Sequence, residues 1–353
     1  MAWLLRNVRV FDGLGFGDLR DVAVAGGLIA STGPDDASER VDGAGGYLLP
    51  GFIDCHVHLS GADTLDALAS YGVTTALDMG SPAALAESLR GRTGVTDIRS
   101  SHLGATSPAS AHAQRMRLPE DALLAGAEQA AAWVGRRTAE GVDYLKVIVD
   151  LPGFDQPTVD AIVRAAHARH RKVIAHASRL DAVQMAQRAG VDVLTHVPLD
   201  QRVDEGRAQA LADAGAVVVP TLTMMKAIVD RVTTSGRPGP SYETARASVT
   251  ALSAAGVPVL AGTDANDRPG APASPPFGAS LHDELALLVE AGLSATDAIN
   301  AAGSVAARHF QLSDRGRIAP GLRADLVLLA ENPLEDISAT RTINGVWCNG
   351  VRV

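Results

Sequence analysis

An α/β fold, a (β/α)8 TIM-like barrel with a small β-sandwich formed by both chain termini, is predicted for this 353-residue chain on three observations. The middle of the sequence alternates short β-branched runs with helical stretches, the rhythm of parallel βα units. Phrases such as Tyr71-Gly72-Val73, Glu140-Gly141-Val142, Ala189-Gly190-Val191 and Ala255-Gly256-Val257 recur along it, because glycine closes a helix and a β-branched residue opens the next strand. Both ends of the chain are instead rich in strands and tight turns, so the termini are expected to close one small β-unit together. A doubly wound open sheet is the alternative arrangement of the same central units.

Taken in order, residues 3–11, 21–25 and 28–31 read as strands around a Gly-rich turn at 12–17 and the pair Gly26-Gly27, a pattern of antiparallel β-structure. Segments 324–329 and 340–353, with turns at Asn344-Gly345 and Asn349-Gly350, have the same character. The expected division is 1–50 and 313–353 for the two parts of the β-sandwich and 51–312 for the barrel. Eight barrel strands are expected at 51–59, 73–79, 97–103, 144–149, 173–176, 193–196, 217–222 and 257–264. Helices among them include 119–139, 158–170, 180–189, 204–214 and 242–255.

Hydrophobic residues make up 46% of the chain, enough for a large core. The net charge of −9 argues against non-specific nucleic-acid binding and against a basic membrane-attracting patch. The start of the chain is interrupted by Arg6 and Arg9 and does not read as a signal peptide, and no apolar run is long enough to span a bilayer. The expectation is a cytoplasmic protein with a small-molecule substrate, no nucleic-acid or membrane partner, and an oligomeric state left open, a homo-oligomer included. Cys55 and Cys348 are the only cysteines, too few for a disulfide framework or a thiolate metal cluster. Cys55 is expected to face away from its histidine neighbours as a small buried residue.

Chemistry in a barrel lies at the C-terminal ends of its strands. His56 and His58, one residue apart at the end of the first expected strand, point to one face because strand side chains alternate. His176 ends the fifth strand, His196 the sixth and Asp264 the eighth. Each alone has an ordinary reading, a core histidine or an aspartate in a turn; together they form a ligand set for divalent metal. Lys146 lies within the otherwise apolar fourth strand, in a chain whose 31 basic residues include only two other lysines, Lys172 and Lys226. A buried ammonium tends to lose its proton. Lys146 either pairs with a neighbouring aspartate or reaches out of the strand end, or it stays neutral and captures carbon dioxide as a carbamate, which arginine cannot do.

The segment from Leu49 to His58, then Lys146, His176, His196 and Gly262-Thr263-Asp264, and the tail 314–327 together resemble the amidohydrolase superfamily. The similarity is greatest to its dinuclear branch of prolidase-like dipeptidases and ochratoxin-type amidases, with imidazolonepropionase-related proteins beside them. This resemblance implies two divalent metal ions, with zinc as the default. His56, His58 and Asp264 would hold one, His176 and His196 the other, and carbamylated Lys146 would bridge them. Lys146 sets the chain apart from imidazolonepropionase itself, which resembles a mononuclear variant. The expected activity is metal-dependent hydrolysis of an amide (C–N) bond in a dipeptide or N-acyl amino acid, with Asp264 as the catalytic proton carrier. The alternatives are hydrolysis of a cyclic amide, lactone or other ester at the same centre, or a non-catalytic binding protein on this fold. Substrate contacts are expected from His112, Tyr144, Arg179 and Lys226, and the Pro- and Gly-rich stretch 267–280 is a candidate lid.

Overall fold

The computed structural model describes residues 2–31, 39–236 and 239–353. β1 (Ala2–Phe11) buries Trp3 and Leu5 and then Val8 and Val10. A register shift between Leu5 and Val8, where Asn7 takes φ 54°, moves the buried face from odd to even positions, as an inserted bulge residue must. β2 (Phe16–Ala25) pairs antiparallel with β1, and β3 (Leu28–Ile29) with β2. β4 (Glu39–Asp42) and β5 (Tyr47–Pro50) run parallel to successive halves of β1.

The central strands then form two parallel ribbons. One holds β6 (Phe52–Val57), β7 (Val73–Asp78) and β8 (Asp97–Ser100); the other holds β9 (Leu145–Ile148), β10 (Val173–His176), β11 (Val193–Thr195) and β12 (Val217–Val219). Ala105, just beyond β8, joins them by accepting from Ile148 N and donating to Lys146 O. On the far side, segment 258–265 bonds to Val218 of β12 and, through Ala261, Asp264 and Ala265, to Cys55, His56 and His58 at β6. The circle of hydrogen bonds is closed, and the open doubly wound alternative is overturned.

β13 (Leu326–Leu329) returns antiparallel to β5, followed by β14 (Ile343–Cys348) and β15 (Val351–Arg352). The terminal sheet therefore has the order β15-β14-β13-β5-β1-β2-β3, with β4 beside β1. It curls until its edges meet: Trp3 Nε1 donates to Gly350 O at 2.9 Å, and Ala324 N donates to Gly27 O. The sandwich expected from the sequence is thus one continuous sheet wrapped on its own core, where the rings of Trp3 and Trp347 stack at 5.3 Å. Its other face, through Phe11, Leu49, Val327 and Leu329, packs into the outer core of the barrel.

Helices α1 (Ala62–Ser70), α2 (Ala83–Leu89), α3 (Ala111–Met116), α4 (Ala130–Ala139), α5 (Gln156–His167), α6 (Leu180–Ala189), α7 (Glu205–Asp213), α8 (Leu222–Thr234) and α9 (Tyr242–Ala254) intersperse the strands, and α10 (Ala279–Glu290), α11 (Ala295–Ala301) and α12 (Ser304–His309) follow. Asp155 and Asp204 cap α5 and α7 by accepting from the N–H three residues on. The glycines of the four recurring phrases all take left-handed φ of 76–83°. The chain has no described helix long and apolar enough to cross a membrane.

Four expected elements differ, the strand expected at 97–103 ending already at Ser100. The helix expected over 119–139 is regular only from Ala130, because Pro119 and Gly126 break the earlier part into two short 3-10 turns. The strand expected at 217–222 stops at Val219, and Leu222 already opens α8 after a left-handed Thr221. The eighth strand keeps its place but not a regular ladder, making isolated bridges at Val259 and Ala265 on either side of Gly262 and a left-handed Asp264.

Candidate active site

Ile53, Cys55, Leu77, Tyr144, Ile174, Val193, Val217, Val219 and Leu260 fill the lower barrel, above a plug of Phe310 and Leu312. Along β6 the inward face holds Ile53 and Cys55 and then His56 and His58. Strict alternation would not allow this. A register shift between Asp54 and Val57 switches the inward face, so Cys55 lies beneath the histidines inside the barrel instead of facing away from them. The shift is held by buried Asp54, which accepts from His56 N (3.1 Å), Thr263 N (3.1 Å) and Thr263 Oγ1 (2.7 Å) and so ties β6 to the eighth segment. Burial pushes the Asp54 carboxyl up to about 7 against those hydrogen bonds.

Above this layer opens a cavity of about 600 Å³. The predicted ligand residues His56, His58, Lys146, His176, His196 and Asp264 all line it. His58 Nε2 lies 3.0 Å and His56 Nε2 3.4 Å from Asp264 Oδ1. Ligating atoms of His56, His196 and Asp264 fall within 4.8 Å of one another, a spacing that fits a metal ion. His176 and His196 turn Nδ1 and Nε2 towards each other at 2.8 Å. Their remaining nitrogens are anchored, His176 Nε2 by Asp150 (2.9 Å) and His196 Nδ1 by Thr221 Oγ1 (2.5 Å). Such outer partners orient imidazoles that ligate metal.

The electrostatics agree with that geometry. Burial, reinforced by the Lys146 charge, holds His56 well below its usual value; burial and the His176 charge do the same to His196, and burial lowers His58. Burial disfavours the Asp264 carboxylate, but the facing histidines outweigh it and keep the group well below the ordinary range. Neutral imidazoles and an ionised carboxylate are the forms that bind divalent metal. Burial lowers Lys146 to about 7, and its Nζ donates to Thr195 Oγ1 at 2.7 Å. Gly104 makes room for that side chain, since a Cβ there would stand 3.0 Å from Lys146 Cγ.

Of the expected substrate contacts, His112 and Arg179 line the cavity, and the His112 ring meets that of His176 at 5.3 Å. Tyr144 does not: it shares the inward face with Lys146, but two residues earlier along a strand is roughly 7 Å deeper, and its OH donates to Asp78 O and Arg99 O. Lys226 does not line the cavity either, because Met225 and Ile228 present the inner face of α8 while Lys226 pairs with Asp230 one turn on at 2.7 Å. Stretch 267–280 contributes Arg268 and Pro272 to the cavity wall, and its last two residues already belong to α10. Asp150, Arg115 and Arg268 are lining residues the sequence reading missed. Asp150 was accessible to it, sharing the parity of Lys146 at the end of the same strand; the two arginines sit on loop and helix positions with no periodic signal.

A closed barrel with a His/Asp cluster at its strand ends is here the framework of a hydrolytic enzyme. The chain belongs to the amidohydrolase family, whose model matches residues 47–353. It is 28% identical to the imidazolonepropionase of Salinispora arenicola, over 92% of this chain and 90% of the relative. In fold it is similar to a Xaa-Pro dipeptidase crystallised with methionine in the active site (TM-score 0.86, 21% identity, the whole of both chains). It is also similar to the ochratoxinase of A. niger (TM-score 0.81, 20% identity, 99% of this chain and 94% of that one).

Proposed function

We propose that the chain hydrolyses the amide bond of a dipeptide or an N-acyl amino acid at a centre of two divalent ions. The observation that carries this reading is Lys146, a buried amine with a depressed pKa on the cavity wall, among histidines and an aspartate in metal-binding protonation states. His56, His58 and Asp264 would hold one ion and His176 and His196 the other, with the carbamate of Lys146 shared between them. Nitrogen and carboxylate donors without a thiolate make zinc the default. The ions would supply Lewis acidity to the scissile carbonyl and a nucleophilic water near neutral pH. Asp264, ionised and facing the cavity, accepts the proton of the attacking water and passes it to the leaving nitrogen. His112, on the cavity wall beside His176, would contact the substrate.

Metal analysis and hydrolysis of a panel of dipeptides and N-acyl amino acids, before and after Lys146→Ala, test the proposal. The expected result is loss of turnover together with loss of bound metal. Full activity with both ions retained refutes it. A second reading, hydrolysis of a cyclic amide, is favoured by the imidazolonepropionase relatives at 28–30% identity; lactams and lactones in the same panel separate the two.

A further inference from the structure

We infer that Arg268 anchors a carboxylate carried by the substrate, an assignment that rests on the amide-hydrolase reading above and names where the acidic end of that substrate binds. Arg268 follows the eighth strand segment on a loop stitched down by buried Asn266. The Asn266 amide donates to Asp264 O (2.8 Å) and Ala273 O (3.2 Å), and its carbonyl oxygen accepts from Arg268 N (3.2 Å). The loop is thereby fixed to the same strand end that presents Asp264.

At the cavity wall, Arg268 Nη2 donates to Gly80 O at 2.6 Å. A Cβ on Gly80 would stand 3.2 Å from Arg268 Nη1 and 3.5 Å from His58 Nδ1, so the glycine leaves the space in which guanidinium and imidazole adjoin. A guanidinium has five N–H donors. Among the described residues no carboxylate lies within ion-pair distance of Arg268, although its charge is half-buried. The other cations expected to bind substrate are engaged: Arg179 with Asp181 and Asp200, Lys226 with Asp230. Gly270 of the same loop packs on the backbone of Arg115, which also lines the cavity.

The wall carried by Leu199, Met224, Met225 and Ile228 is apolar. A ligand with an acidic end and an apolar acyl end matches this division. The planar fork of Arg268 suits both oxygens of one carboxylate, which would give the guanidinium a direct ionic partner beyond the more distant charges of Asp78, Asp264 and Asp267.

The test uses the full chain supplied with zinc, titrated calorimetrically with two ligands that cannot be cut. One is the ketomethylene analogue of an N-acyl amino acid, with CH2 in place of the amide N–H; the other is the matching alcohol, with CH2OH in place of the carboxylate. The acid is expected to bind about tenfold or more tighter than the alcohol. Arg268→Met should abolish that preference and leave alcohol binding unchanged, and Arg268→Lys should restore part of it. Equal binding of acid and alcohol by the parent protein overturns the assignment, as does an undiminished preference in Arg268→Met. Should Arg268→Met melt early, Arg268→Gln with an unaltered melting temperature decides by the same criterion. A preference that follows Arg268 in a protein that hydrolyses no N-acyl amino acid or dipeptide leaves the carboxylate subsite standing and removes the amide-hydrolase reading alone.

Discussion

His176 and His196 approach nitrogen to nitrogen at 2.8 Å, and each has its other nitrogen tied to an anchoring side chain, Asp150 for His176 and Thr221 for His196. At that distance the facing atoms have room for at most one proton between them. On the proposed function the two histidines are ligands aimed at one point.

Asp150 should therefore govern metal affinity through His176. It accepts from His176 Nε2, Ser178 N and Ser178 Oγ. Asp150→Asn is expected to weaken zinc binding roughly 10–100-fold, with little change in the folded chain's circular dichroism. Competition against a calibrated chelator measures it; unchanged affinity would show that His176 needs no orienting partner.

Gly104→Ala tests the placement of Lys146. The added methyl would press on Lys146 Cγ at 3.0 Å and on its backbone O at 3.1 Å. A displaced lysine should lower kcat/KM on the order of 100-fold, while the thermal transition stays cooperative. Parental turnover in this variant would mean that the amine tolerates displacement.

Carbamate formation joins the Lys146 nitrogen to carbon dioxide and releases a proton. Metal-stripped protein should therefore regain activity faster with zinc plus bicarbonate than with zinc in carbon dioxide-free buffer. Lys146→Ala should show no such difference. Identical rates for the parent protein in the two buffers would count against a carbamate.

Glu284 supplies a pH signature of stability away from the ligands. It is fully buried and accepts from Leu222 N (3.0 Å), Thr223 N (2.7 Å) and Thr223 Oγ1 (2.8 Å) at the start of α8. Burial raises its carboxyl from 4.5 to about 7 in spite of these bonds. The folded chain thus holds the proton more tightly than the unfolded chain. The associated stability is present below the ordinary carboxyl range and is lost as pH rises through about 7, roughly 3 kcal/mol in all. The melting temperature of Glu284→Gln minus that of the parent should rise between about pH 5 and about pH 8. A flat difference would show that Glu284 does not titrate in this way.

The clustering of the proposed ligand residues was legible because a barrel gathers its strand ends, so that rhythm and residue type together place His56, His58, Lys146, His176, His196 and Asp264 around one cavity. Asp150 followed the same rule, although only its hydrogen bond to His176 gives it a role. Tyr144 and Lys226 show where one-dimensional reasoning stopped: parity cannot report depth along a strand, and a helix turns away a residue whose neighbours face inward.

By itself the sequence determined the α/β class, the family and the kind of chemistry, since these depend on periodicity and on residue types at strand ends, whereas closure of the barrel rests on hydrogen bonds between distant segments. Tertiary structure decided what depends on angles and on contacts between distant segments. The bulge in β6 turns His56 and His58 inward above Cys55, because one inserted residue reverses a period of two. The loop stitched by Asn266 sets Arg268 beside His58, because hydrogen bonds made far from any strand register fix where a charge can stand.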